Sequence, residues 1–71
     1  MPDEDISHAY EHVVVWIKLA DDPPRYLAAG PNRAGNLLEL VILDAPEAVL
    51  VIHAMPLRPA TQRGLFGEES R

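Results

Sequence analysis

The chain of 71 residues carries six basic and eleven acidic side chains, a net charge of −5, seven prolines and no cysteine. This length allows one domain, and so short a chain buries only about 60% of its unfolded surface, which keeps the core small. Disulfide staples and thiolate metal clusters are excluded, and an apolar content of 48% excludes wholesale disorder.

Met1 to Asp5 forms an acidic segment, the reverse of a signal or transit peptide. The apolar residues Ile6, Ala9 and Tyr10 then recur at helical spacing, behind Asp3 and Asp5, which favour a helix N-terminus. One or two turns of helix are predicted over 6–12. The β-branched and aromatic run Val13–Ile17 suits a strand, with Trp16 expected in the core. Asp21-Asp22-Pro23-Pro24 ends that strand, because proline cannot donate to a ladder.

Arg25–Ala29 reads as a second, weaker strand. Gly30-Pro31-Asn32-Arg33-Ala34-Gly35 reads as a turn, with glycines expected to supply unusual backbone angles at both ends. A third strand is predicted over Asn36–Leu43 and a turn over Asp44–Glu47. A fourth strand, Ala48–Ala54, is apolar almost throughout and is expected at the centre of the sheet. Beyond Pro56 and Pro59, a short helix over Ala60–Leu65 is weakened by Gly64 and Gly67.

The predicted fold is α+β: a short N-terminal helix, an antiparallel meander of three to four strands and a short C-terminal helix. Its parts are an acidic segment over 1–5, a single domain over 6–66 and a flexible tail over 67–71.

No apolar run is longer than the five residues of Val13–Ile17, far too short to span a bilayer, so a cytoplasmic chain without membrane contact is expected. Overall acidity weighs against a simple nucleic-acid binder. The charge is uneven, however. Residues 1–22 hold six acids and only Lys18, whereas residues 23–67 hold Arg25, Arg33, Arg58 and Arg63 against Glu39, Asp44 and Glu47. Local potential governs phosphate binding more than the total does, which leaves room for an arginine cluster on the central body.

His8-Ala9-Tyr10-Glu11-His12 matches the H-x-x-E-H pattern of one metalloprotease class, with His53 as a conceivable third ligand. Those enzymes are large, and a five-residue pattern with two wildcards is weak, so surface or hydrogen-bonded histidines are the expectation. No metal and no cofactor are expected. Metal-free acid–base chemistry is the second use of these residues: imidazole titrates near neutrality, and arginine offers a planar fork for phosphate. His53 ends a strand and Arg58 follows five residues later, where a sheet commonly presents reactive groups. The bland alternative has His53 bonding a backbone group and Arg58 solvated. Gly30–Gly35 is not a phosphate loop, since no lysine follows, and exposure is the expectation for Arg33 at its tip.

Together, "ISHAYEH", "PPRYLAAG", "GPNRAGNLLELVIL" and "VLVIHAMPLRP" resemble the small bacterial toxins of the BrnT and RelE/ParE group over most of residues 5–63. The resemblance implies a compact sheet with flanking helices, cleavage of mRNA, and a cognate antitoxin as partner. It also implies phosphate-binding arginines and acid–base side chains on the sheet face. By position, "HAMPLRP" corresponds to the strand-end segment carrying such a site, with His8 or His12 of the helix nearby. The expected site is therefore His12, His53 and Arg58 for catalysis, with Arg25, Arg33 and Arg63 on the RNA. The competing expectation is a non-enzymatic module that buries its spare apolar face in a homo-oligomer or against a partner protein.

Overall fold

The computed structural model describes residues 1–67. In chain order it contains α1 (Asp3–Glu11), β1 (Val15–Ala20), β2 (Arg25–Pro31), β3 (Leu37–Asp44), β4 (Val49–Pro56) and α2 (Pro59–Phe66). The four strands form one antiparallel sheet in the order β1-β2-β3-β4. The fold is the α+β meander expected from the turn spacing. Of the tail expected over 67–71, residues 68–71 lie outside the described residues, and Gly67 closes α2.

α1 begins at Asp3, so the acids of the N-terminal segment form its first turn, where Asp3, Glu4 and Asp5 complement the helix dipole. Its inner face delivers Ala9, fully buried, onto Leu38 and Leu40 of β3, with Val13, Ile42, Val51 and Ala54 packed around them. This approach depends on Gly30. A Cβ there would run into the Ala9 carbonyl oxygen. The expectation of an unusual backbone angle holds for Gly35, at φ 90°, but not for Gly30, which lies inside β2 and serves by having no side chain.

Cross-strand pairing sorts the side chains into two layers. Leu38, Leu40 and Ile42 face α1, together with Gly30, Ala28 and Tyr26 opposite them. Glu39 and Val41, opposite Ala29 and Leu27, face the other way, where α2 lies. Thr61 and Leu65 are the buried residues of α2. Arg58 is extended at φ −90° and ψ 152°, as a residue before proline prefers, and Pro59 opens the helix at its first turn.

Two expectations fail for identifiable reasons. β4 is an edge strand rather than a central one. Val51 and Ala54 belong to the core, but in a meander the last strand has a neighbour on one side only, whatever its composition. Trp16 is 60% exposed rather than in the core. It pairs with Ala28 on the α1 side of the sheet, beyond the reach of that helix, and rests edge-on against Tyr26 at 5.3 Å.

Candidate functional site

The central feature is Glu39, the only charge within the apolar run of β3 and only 1% exposed. A carboxylate so placed requires partners, and the chain segment leaving β4 supplies them. Arg58 donates its backbone N–H to Glu39 Oε1 at 3.1 Å, its Nε to the same oxygen at 3.1 Å, and its Nη2 to Oε2 at 2.7 Å. His53 stands opposite Val41 in the ladder and reaches diagonally to Glu39 Oε2, with its Nε2 3.1 Å away. The imidazole and the guanidinium thus share one carboxylate oxygen.

The Arg58 guanidinium holds the Glu39 carboxyl down to about 2, against the opposing pull of burial, with the Thr61 hydroxyl and the Arg58 backbone N–H adding to the effect. Glu39 is therefore ionised at neutral pH and can only accept. It follows that the neutral His53 ring carries its hydrogen on Nε2 and keeps Nδ1 as the basic nitrogen. Arg58 uses Nε and Nη2 on Glu39, which leaves its Nη1 hydrogens for an incoming anion. Its side chain is 57% exposed and that of His53 36%. The site presents one imidazole base and one fixed cation side by side on the surface.

The other expected residues divide between the two layers. Arg25 opens β2 opposite Leu43, on the same side of the sheet as Glu39 but four ladder pairs away from it, and is exposed. Arg63 is exposed in the last turn of α2. These two arginines therefore belong to the His53–Arg58 side. His12 does not. It caps α1 on the opposite side of the sheet, donates from Nδ1 to the His8 carbonyl at 2.8 Å, and stacks on the His8 ring at 4.2 Å. His8 donates in turn to the Pro31 carbonyl at 2.8 Å. Arg33 is also held on the α1 side: its Nε and its backbone N–H both donate to Asp5 Oδ1, at 2.8 and 3.1 Å, and this keeps the Asp5 carboxyl below its ordinary range.

His8 and Arg33 thus tie α1 to the end of β2 and the β2–β3 turn, while His12 closes α1 on itself, and neither His12 nor Arg33 shares a site with His53. Asn32 shapes the same turn, its side-chain oxygen accepting from the N–H groups of Ala34 and Asn36. Among the described residues no group of three or more histidines and carboxylates is arranged to hold a metal ion, and no helix is long and apolar enough to cross a membrane. Every buried side-chain polar atom among them has a partner.

Glu39 was the residue that sequence reading missed. Its signal was present as a lone acid at an inward-alternating position of the strand "LLELVIL", where burial demands a cation from elsewhere in the chain. No protein-family model, curated protein or solved structure matches the chain.

Proposed function

We propose that the chain is the toxin-like component of a type II toxin–antitoxin pair, similar to the BrnT and RelE/ParE group, acting as a metal-independent endoribonuclease on mRNA. One observation carries the reading: His53 Nε2 and Arg58 Nη2 meet on Glu39 Oε2, so a base inside β4 and a phosphate-binding cation just past the end of that strand stand together. In this chemistry His53 Nδ1 takes the proton of a ribose 2′-hydroxyl and the 2′-oxygen attacks phosphorus. The bond to the 5′-oxygen breaks, and that oxygen takes a proton from water. The products are a 2′,3′-cyclic phosphate and a 5′-hydroxyl end. Arg58 stabilises the charge gathering on the phosphoryl oxygens, and Arg25 and Arg63 hold the flanking backbone. His53 carries the proton transfer without His12, which belongs to the other layer.

The test is incubation of the purified protein with single-stranded RNA in excess EDTA, followed by analysis of the fragment ends. Cleavage leaving cyclic phosphates is expected, with His53→Ala lowering the rate by roughly 10²–10⁴. A folded wild-type protein that leaves RNA intact, or a His53→Ala variant with undiminished rate, overturns the nuclease reading.

A non-enzymatic interaction module is the second reading. It is favoured by the exposure of Trp16, Leu19, Leu50 and Ile52, large side chains that a small monomer would be expected to cover. It predicts an intact substrate in the same assay.

A further inference from the structure

The two layers of the sheet differ in charge. Whereas the α2 side carries Arg25, Arg58 and Arg63, the α1 side opens, beside that helix, into an apolar groove of about 570 Å³. Tyr10, Trp16, Tyr26, Ile42 and Val49 line it, and among the described residues its only charged lining groups are Glu11 and Asp44. A smaller depression between α1 and β4 shares Tyr10, Glu11 and Val49 with it, so the groove continues around the end of α1. Lys18, the base on the same side opposite Tyr26, is already engaged with Asp21.

α1 packs over the central strands β2 and β3 and ends at Glu11, and the groove beyond that end crosses all four strands from Trp16 of β1 to Val49 of β4. Four strands spaced about 4.8 Å apart make it roughly 15–20 Å long, enough to seat a short helix. The geometry points to the groove as the seat of a second helix, contributed by a partner protein: an amphipathic helix whose apolar stripe is flanked by lysine or arginine. Trp16 and Tyr10, both large and exposed, are the anchors such an interface uses. The rim selects the occupant. Phosphate backbones are repelled by Glu11 and Asp44, and a second copy of this chain seated face to face would set the same acids against each other. A basic helix satisfies them. The proposal rests on the sheet and its charges and stands apart from the nuclease reading, since RNA cleavage can fail while the groove binds.

Trp16 is the only tryptophan and lies in the groove, so its emission reports occupancy directly. The probes are three synthetic peptides of equal length: an amphipathic leucine–lysine helix, its leucine–glutamate counterpart, and a serine–lysine peptide with the charge but no apolar stripe. Titration with the leucine–lysine peptide is expected to shift Trp16 emission to the blue saturably, and the other two to leave it unchanged. Glu11→Lys and Asp44→Lys, both at exposed positions, are each expected to weaken binding about tenfold. The control variants Asp3→Lys and Glu4→Lys, at the far end of α1, are expected to bind as the wild type does. Equal binding of the serine–lysine peptide, or no loss in the two rim variants, overturns the proposal. So does a concentration-dependent blue shift without peptide accompanied by a dimeric mass, which would give the groove to a second copy.

Discussion

Glu39 and Arg58 lie nineteen residues apart in the chain, yet Arg58 spends its backbone N–H, its Nε and its Nη2 on that one carboxylate. The pair fastens the segment after β4 to the middle of β3 and fixes where α2 starts. The carboxylate is buried and the guanidinium largely exposed, so the interaction is asymmetric. The ionised form of Glu39 depends on Arg58, while Arg58 stays charged in any setting.

The pH dependence of stability follows from this asymmetry. Glu39 titrates at about 2 in the folded chain, against 4.5 for an ordinary glutamate. A carboxyl whose folded value is depressed contributes stability that is complete above its unfolded value and is lost as pH falls through the folded one. A gap of this size corresponds to a contribution on the order of 3 kcal/mol. Urea melts at pH 7, 4.5, 3 and 2 are expected to show stability nearly level down to about pH 5 and falling steeply below it. Glu39→Gln should be less stable at pH 7 and should lose much of the fall below pH 4.5. An unchanged acid limb in that variant would assign the loss to other groups.

Removing the cation is predicted to cost more than removing an exposed arginine usually does. Arg58→Ala strands the Glu39 carboxylate without its main partner, and an uncompensated buried charge costs roughly 3–5 kcal/mol, enough to unfold much of so small a domain. Arg58→Lys keeps the charge but not the fork and should fall in between. The double variant Glu39→Gln/Arg58→Ala should recover part of the loss, because no charge is left stranded. A double-mutant cycle in chemical denaturation gives the coupling, and strict additivity would show that the pair is not a unit.

Two glycine-to-alanine substitutions should act in opposite directions. At Gly30 the added methyl meets the Ala9 carbonyl, so α1 must lift from the sheet, at a cost of about 1–3 kcal/mol. At Gly64, inside α2, a Cβ meets nothing within 4 Å, and alanine should stabilise the helix by up to about 1 kcal/mol. Thermal melts of the two variants check both signs. A Gly30→Ala protein as stable as the wild type would mean that α1 tolerates displacement.

The elements themselves were legible because their signals are local: β-branched runs for the strands, Asp-Pro and Gly-Asn clusters for the turns, and acids at the start of the first helix. What was not legible depended on layers. Whether Trp16 is covered is decided by how far α1 extends along the sheet, and whether β4 is an edge is decided by how many strands follow it. Neither is written in the residues of those strands. His53 and Arg58 were readable as neighbours because only Met55-Pro56-Leu57 and Ala54 separate them. The acid joining them was not, because β3 contributes it from across the ladder. His12 and Arg33 were placed with them for want of any sequence signal telling one side of a sheet from the other.

This division between layers predicts how the arginines act on RNA. Arg25, Arg58 and Arg63 lie on the side of the sheet that carries His53, whereas Arg33 is turned toward α1 and spends its Nε on Asp5. In fluorescence anisotropy with a labelled single strand, Arg25→Ala and Arg63→Ala should each weaken binding and reduce the slope of log K against log salt by roughly 0.7, the value for one phosphate contact on a single strand. Arg33→Ala should leave both quantities unchanged and instead loosen the α1 end of the β2–β3 turn, seen as faster amide exchange at Ala34 and Asn36. If Arg33→Ala lowers the salt slope as much as Arg63→Ala does, the RNA path crosses to the α1 side and the assignment of one side of the sheet to RNA fails.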